Sequence, residues 1–198
     1  DEYEKYSEVI SEKNIKKIIL SWNNGINNYS YFSEINRKIY KLFGFLNQNI
    51  KIKNYKKKYN INLRFSQNYH RETINYQRNK LKKLIKNFQK TKRVSRFKYF
   101  SELKNSRSAI SPFGWGEICY RDFECFYHKC ALIKPNMDHI NTWPNYYEKN
   151  NTYLSLNWDM SNIDEILNFI SLEKNEEFLN LIAKNGQKKF FEYLKVGE

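Results

Sequence analysis

The chain has 198 residues, a formal net charge of +14, 40% hydrophobic residues and 17% aromatic residues. This length fits one domain with one core, and this apolar content excludes an intrinsically disordered chain. No run of 18 apolar residues indicates a membrane-spanning helix, and no basic-then-apolar signal pattern begins the sequence, so a soluble domain is expected. The three cysteines, Cys119, Cys125 and Cys130, are odd in number and close together, which favours reduced thiols and a cytoplasmic location.

The charge is distributed unevenly. Residues 1–110 contain 26 Lys and Arg against 8 Asp and Glu, whereas residues 111–198 contain 9 against 13. The basic half suits a partner that carries phosphate, which includes nucleic acid, an anionic lipid and a phosphorylated substrate. A solvated lysine-rich surface explains the same numbers equally well.

In the first half of the chain, the residue pattern predicts two strands, each followed by a helix. A strand is predicted over 15–21, followed by a turn-rich loop and a helix over 31–46 with apolar residues at helical spacing. After a lysine-rich connection, a second strand is predicted over 61–66 and a second helix over 72–89. Both units are typical of the βα repeats of a parallel sheet.

In the second half of the chain, the residue pattern predicts further short strands and helices. A short helix is expected over 98–105, strands over 108–111, 131–134 and 152–156, and a helix beginning near Glu117. Two C-terminal helices follow, the first with Ser161 as its N-cap. The fold class predicted over 1–198 is therefore a single α/β domain, a Rossmann-like parallel sheet with helices on both faces. In such sheets, ligands bind at the loops that follow the strands.

The segment Ser111–Glu124, "SPFGWGEICYRDFE", combines a loop rich in Pro and Gly with the predicted start of a helix. A helix N-terminus has free N–H groups and the positive end of the helix dipole, so it suits a phosphate. Helical spacing places Glu117, Arg121, Glu124 and His128 on one stripe of this helix. Arg121 could fork onto phosphate oxygens, and Glu124 could accept the hydroxyls of a ribose. The alternative is a solvated helix face with a Glu117–Arg121 pair at i, i+4 spacing.

The segments "SPFGWGEICYRDFECFYHKCALIKPNMDHINTWP" and "NTYLSLNWDMSNIDE" resemble the nucleotide-sugar-binding, C-terminal half of a GT-B glycosyltransferase of the exostosin-like and bacterial surface-polysaccharide type. The likeness runs along nearly the whole chain, and 108–159 is its most specific part. The resemblance implies a glycosyltransferase donor domain that binds a nucleotide-diphosphate sugar, with no metal or other cofactor.

The resemblance also implies roles for individual residues. Glu117 and Arg121 are the catalytic candidates, one contacting the donor sugar and the other its phosphate. The residues implied to bind the donor nucleotide are Gly114, Trp115, Gly116, Arg121 and Glu124. Lys134, Pro135 and Asp138 follow the next predicted strand at the same edge and are further donor-binding candidates; the alternative is a structural Pro/Trp loop that caps the sheet. His139 and Trp143, in the loop after Lys134, are further candidates for the base or sugar pocket.

A GT-B enzyme has a second domain that binds the acceptor, so the chain is expected to be one half of a larger transferase. The acceptor would be a glycan or a lipid-linked glycan, held by an N-terminal domain, and peripheral contact with the inner face of the membrane is a further expectation. Two alternatives stay open: a basic nucleic-acid-binding module, and a catalytically silent interaction domain. Cys125, His128 and Cys130 are close together, but their spacing fits no common zinc motif, so no metal site is predicted.

Overall fold

The computed structural model of the protein describes residues 20–21, 56–66, 69–85 and 93–196. The strands are β1 (Leu20–Ser21), β2 (Tyr59–Asn62), β3 (Ser106–Ile110), β4 (Ala131–Pro135), β5 (Thr142–Trp143) and β6 (Tyr153–Leu156). The helices are α1 (Glu72–Leu84), α2 (Arg96–Lys104), α3 (Tyr120–Tyr127), α4 (Ile163–Ser171) and α5 (Glu176–Val196), with a 3₁₀ turn at Glu173–Asn175. Strands β2, β3, β4 and β6 form one sheet in that order, and every neighbouring pair is parallel.

Helices cover both faces of this sheet, as the sequence predicts. Successive strand residues point to opposite faces, so Ala109 and Leu132 join one buried cluster with residues of α2 and α3. Ile110 and Ile133 join a second cluster with residues of α1 and α4. The architecture is an α/β fold with a parallel four-stranded sheet, compatible with a Rossmann-like fold.

The last helix, α5, passes along the amino-terminal edge of the sheet. Glu176 accepts a hydrogen bond of 2.8 Å from Arg107 near the start of β3. A Cβ added at Gly186 would lie 2.7 Å from the Phe126 ring and 3.2 Å from the carbonyl oxygen of Thr152, just before β6. Helix α5 thus lies at the amino-terminal edge, and the loops that follow the strands lie at the opposite, carboxyl-terminal edge.

Several element boundaries differ from the predicted ones. The second strand ends at Asn62 rather than at residue 66. Leu63 and Phe65 beyond it are apolar and buried, and their apolar character made this run resemble a strand in the sequence. The cap of α4 is Asn162 rather than Ser161. The side chain of Asn162 is bonded to the backbone of Ser155 and Asn157, at the end of β6.

Helix α3 begins at Tyr120, three residues later than predicted. Cys119 has an extended backbone, with φ −124° and ψ 149°, and its N–H donates to Asp122 Oδ2 at 3.1 Å. The chain before Cys119 is therefore loop, and Glu117 belongs to that loop rather than to the first turn of the helix.

The structure adds one feature that the sequence did not predict. Strand β5 pairs in parallel with β1, outside the main sheet, and the Trp143–Pro144 peptide bond after it is cis. Of the predicted strand over 15–21, residues 15–19 lie outside the described residues, as do the predicted helix over 31–46 and the end of the helix over 72–89. Within the described ranges, no helix is both long enough and apolar enough to cross a bilayer.

Candidate functional site at the carboxyl edge of the sheet

The loops that follow β2, β3, β4 and β6 meet at the carboxyl-terminal edge of the sheet, because all four strands run in the same direction. We call this edge the rim and define it by the described residues of 63–71, 111–119, 136–141 and 157–162. Two tryptophans of the rim are exposed, Trp115 by 67% and Trp158 by 55%. Both are on rim loops, so the rim presents two large aromatic side chains to solvent.

Below the rim, Asp122 and Lys134 form an ion pair that has no exposed side-chain surface. Lys134 Nζ lies 2.9 Å from Asp122 Oδ2. The same carboxylate accepts hydrogen bonds from Ser111 Oγ at 2.5 Å and from the Tyr147 hydroxyl at 2.7 Å. Burial and the Asp122 charge raise the pKa of Tyr147 well above its usual range, so it stays a hydrogen-bond donor. This cluster joins β3, α3 and β4 and stabilises the base of the rim.

Lys134 and Pro135, predicted to bind the donor nucleotide, are both buried in β4. The Lys134 ammonium is held by Asp122, and Pro135 pairs with Leu156 in the sheet. The prediction that they contact a ligand is not supported, because the side chains lie beneath the rim rather than on it. Lysine at the end of a strand suggested a phosphate contact, but its carboxylate partner is twelve residues earlier in the chain.

The Arg121 side chain of α3 forms hydrogen bonds to residues at the ends of β2 and β3. Its Nε donates to the Ile110 carbonyl at 2.6 Å, and its Nη1 donates to the Arg64 carbonyl at 2.6 Å and to the Tyr99 hydroxyl at 2.8 Å. Its Nη2 donates to both the carbonyl and the side-chain oxygen of Asn62, at 3.2 and 2.8 Å. All five N–H donors of a guanidinium are thus directed at protein oxygens. A phosphate could bind Arg121 only if some of these bonds broke.

Glu124 lies next to Arg121 inside the domain, and Tyr99 donates its hydroxyl to the Glu124 carboxylate. Burial raises the pKa of Glu124 to about 7, although the hydrogen bond from Tyr99 and the charge of Arg121 act in the opposite direction. The predicted exposed stripe of α3 is therefore wrong. Arg121 and Glu124 pack inward, and His128, also predicted on that stripe, is buried against the Phe100 ring.

On one side of the rim, Arg78 supports an exposed group of aromatic and cationic side chains. The buried Arg78 guanidinium donates to the carbonyls of Ser66, Pro112 and Phe113, and so ties the loop after β2 to the loop after β3. The Arg78 guanidinium also lies 4.4 Å from the centroid of the Tyr69 ring. The centroid of the Trp115 ring is 6.2 Å from that of Tyr69 and 5.1 Å from the Arg71 guanidinium.

On the other side of the rim, the loops after β3, β4 and β6 bring Glu117, His139 and Trp158 together. Glu117 Oε1 lies 3.9 Å from His139 Nε2, and both side chains are exposed by more than a third. The His139 ring stands edge-on to Trp158 with 4.7 Å between the ring centroids. Trp158 is fixed by its Nε1, which donates to the Asn136 carbonyl at 3.0 Å. A carboxylate, an imidazole and an exposed indole thus share one surface.

The two glycines of the rim loop differ. A Cβ at Gly114 would lie 3.3 Å from Cys119 Sγ, whereas a Cβ at Gly116 would meet nothing within 4 Å. Gly114 therefore serves the packing of the loop, and Gly116 leaves open space beside Trp115.

Asp138 is exposed and accepts a hydrogen bond from Asn136. Trp143 lies outside the rim and packs against Tyr193 of α5, with 6.1 Å between the ring centroids.

The predicted site residues thus fall into two groups. Trp115, Gly116, Glu117 and Asp138 lie on the rim, whereas Arg121, Glu124, Lys134 and Pro135 lie in the packing beneath it. Arg78, Trp158, Tyr99 and Tyr147 were not among the predicted site residues. A tryptophan two residues after a predicted strand was the available signal for Trp158; no local pattern identifies the other three, because their partners are distant in sequence.

Comparison with known protein families, with curated proteins and with solved structures finds no match to this chain. The function must therefore be inferred from the rim itself.

Proposed function

We propose that this domain binds the nucleotide-diphosphate sugar of a GT-B glycosyltransferase at the rim. The observation that carries the proposal is the meeting of Glu117, His139 and Trp158 from three different loops at the carboxyl edge of a parallel sheet. Ligands of open α/β sheets bind at this edge. The proposal includes a cytoplasmic location and an acceptor, a glycan or a lipid-linked glycan, bound by a separate domain.

The exposed rings suit the planar and ring-shaped parts of such a donor. The face of an indole stacks on a nucleobase, and this contact is worth about 1 to 3 kcal/mol. Trp115 offers the larger exposed surface, and its neighbour Arg71 supplies a cation at the same place. The space beside Gly116 lets a ligand approach the backbone of the loop.

The ionisable groups of the rim suit the reaction. In glycosyl transfer, an acceptor oxygen forms a bond to the anomeric carbon, the bond from that carbon to the diphosphate oxygen breaks, and the acceptor loses its proton. Negative charge develops on the departing diphosphate, so nearby cations stabilise the transition state. Arg71 is an exposed cation of the rim that can do this, and the His139 imidazole, whose Nε2 lies 3.9 Å from Glu117 Oε1, can donate a hydrogen bond to a ligand oxygen.

The proposal is tested by calorimetric titration of the chain with UDP, GDP, ADP, TDP and CMP, each with and without EDTA. We expect one nucleotide to bind saturably and without metal. Trp115→Ala should weaken that binding by about 1 to 3 kcal/mol, and His139→Ala should weaken a diphosphate more than the corresponding nucleoside.

Trp143→Ala is the matched control, since Trp143 is exposed by 56% but packs on α5. This variant should bind the nucleotide as the wild type does. Failure of all five nucleotides to bind, or equal losses in Trp115→Ala and Trp143→Ala, would contradict the proposal.

The same titration separates the rim from the roles that the resemblance implies for Arg121 and Glu124. If the rim binds the donor, Glu124→Gln and Arg121→Lys change stability while the folded variants keep their nucleotide affinity. If instead Glu124 binds the ribose, Glu124→Gln loses affinity at a pH where it is fully folded, and the site lies deeper than the rim.

A further inference from the structure

The carboxyl-terminal end of α3 brings two cysteines together. Lys129 has a left-handed backbone, with φ 51°, and ends the helix. Its N–H donates to the Phe126 carbonyl at 3.1 Å, and the Cys130 N–H donates to the Cys125 carbonyl at 2.9 Å. These two bonds form a Schellman motif, in which the side chains at the positions of Cys125 and Cys130 pack on each other. The two thiols are accordingly hydrogen-bonded to each other.

Distant parts of the chain fix the turn that carries this thiol pair. Lys57 Nζ donates to the His128 carbonyl at 3.3 Å, and Gln187 Nε2 of α5 donates to the Tyr127 carbonyl at 3.0 Å. The two cysteines are exposed by only 0% and 1%. The thiols therefore keep their contact in the folded chain, and a small uncharged reagent reaches them more readily than a bulky one.

The two thiols differ in how readily they ionise. Burial raises the pKa of Cys125 well above its usual range. Burial also acts on Cys130, but the hydrogen bond from its partner and the charges of Lys57 and Arg121 outweigh it, so the pKa of Cys130 is lowered. The thiolate is the form that attacks an oxidant, and a neighbouring thiol then completes a disulfide. Cys130 is therefore suited to react first and Cys125 second.

We propose that Cys125 and Cys130 form an oxidation site, at which hydrogen peroxide converts the thiol pair into a disulfide. A disulfide spans Cα atoms about 4.4 to 6.8 Å apart, a separation that residues joined by a backbone hydrogen bond can have. This inference is independent of the donor-binding proposal, since it uses no residue of the rim.

The reaction has two steps. The Cys130 thiolate attacks one peroxide oxygen, the O–O bond breaks, and a sulfenic acid forms as hydroxide leaves. That hydroxide takes the Cys125 proton and becomes water, and the Cys125 sulfur then attacks the Cys130 sulfur and releases a second hydroxide. The second hydroxide takes up the proton that Cys130 lost on ionisation. Two thiols are thus oxidised to one disulfide, and the peroxide is reduced to two molecules of water.

The test treats the folded, reduced chain with hydrogen peroxide, then denatures it, alkylates the remaining thiols and applies tryptic mass spectrometry. Trypsin cleaves after Arg121 and Lys129, so the three cysteines fall on three different peptides. We expect the peptide that begins at Asp122 to be linked to the one that begins at Cys130, with Cys119 alkylated. Dithiothreitol should separate the linked peptides.

Cys119→Ser is the matched control. Cys119 Sγ lies 3.6 to 3.7 Å from three backbone carbonyl oxygens, at the other end of α3 and about 9 Å along the helix from Cys125. This variant should form the linked peptides as fast as the wild type. In Cys125→Ser, Cys130 should stop at a sulfenic acid that dimedone traps. In Cys130→Ser, Cys125 should react at least about tenfold more slowly, because less of it is thiolate.

The chain unfolded in urea provides a further comparison. Without the fold, linkages to Cys119 should appear beside the linkage between the other two cysteines. Alkylation of both Cys125 and Cys130 after peroxide treatment would overturn the proposal. Linkages in the folded chain that are as mixed as those formed in urea would overturn it as well.

Discussion

Two acidic residues of the segment Ser111–Glu124 lie in regions that differ in burial: the packing below the rim and the rim itself. Asp122 lies in the packing below the rim, where its carboxylate is shared by Lys134, Ser111 and Tyr147. Glu117, five residues earlier, lies on the rim beside His139, and both are well exposed. Two acids in one short segment therefore differ in role, because a buried charge must be compensated within the protein whereas an exposed one can meet a ligand.

The largest effect on stability is expected for Asp122→Ala. Removing the carboxylate leaves the Lys134 ammonium buried without its counter-ion, and such changes cost about 3 to 5 kcal/mol of unfolding free energy. Urea denaturation followed by circular dichroism measures this loss. Asp122→Leu with Lys134→Met should recover much of it, while Glu192→Ala, which removes an exposed partner of Lys188, should change little. A small loss in Asp122→Ala would contradict the structural role of the buried pair.

A smaller effect, confined to a pH range, is predicted for Glu124→Gln. The folded-state pKa of Glu124 is raised to about 7 by burial, so the folded protein keeps a proton that the unfolded chain loses near pH 4.5. The unfolding free energy of the wild type therefore falls as the pH rises between these values. A glutamine does not titrate, so the stability of Glu124→Gln relative to the wild type should rise by up to about 3 kcal/mol between pH 4 and pH 8.

Denaturation of the two proteins in parallel at several pH values measures this difference, and contributions from other groups cancel. Stability curves of the two proteins that stay parallel over the whole pH range would show that the folded-state pKa of Glu124 is not raised, and would contradict the prediction.

Arg78 is buried below the rim and holds two of its loops together, so Arg78→Met should affect both stability and ligand binding. The variant keeps an apolar side chain of similar length but loses the donors to Ser66, Pro112 and Phe113. We expect a loss of about 2 kcal/mol in unfolding free energy, together with weaker nucleotide binding because the loops that carry Tyr69 and Trp115 are no longer tied. Unchanged nucleotide affinity in a destabilised Arg78→Met would limit the residue to folding.

The smallest effect on stability is expected for Trp115→Ala. An exposed side chain contributes little to the core, so the unfolding free energy should change by less than about 0.5 kcal/mol, while nucleotide affinity falls as described above. Thermal denaturation and titration on the same sample separate the two quantities. A large loss of stability would show that Trp115 belongs to the packing rather than to a ligand surface.

Much of the described fold was predictable because it depends on local patterns. Short apolar runs separated by helical periodicity predicted the parallel sheet with helices on both faces, and β4 and β6 lie within one residue of their predicted bounds. The start of α3 was not predictable in the same way. The glycine-rich loop indicated a helix beginning at Glu117, but the hydrogen bond between Cys119 and Asp122 delays it to Tyr120.

For the candidate site, the sequence identified the segment but not the orientation of its side chains. Helical spacing placed Arg121, Glu124 and His128 on one face of α3, and charge suggested that this face was solvated or met a ligand. In the structure, α2 covers that face and Tyr99 supplies a hydrogen bond to Glu124 and accepts one from Arg121. Periodicity groups residues on a face, whereas the neighbouring elements decide whether that face is buried.

The sequence by itself determined the α/β class, the position of the Pro/Gly/Trp loop after a strand, and the excess of positive charge in the first half, since each depends on residues close together in the chain. Only the tertiary structure decided that Asp122 pairs with Lys134, that Arg78 ties two loops, and that Glu117 meets His139 beside Trp158. The reason is physical. These contacts join residues from separate loops and helices, and their energies depend on burial and distance, which no local pattern of residue types contains.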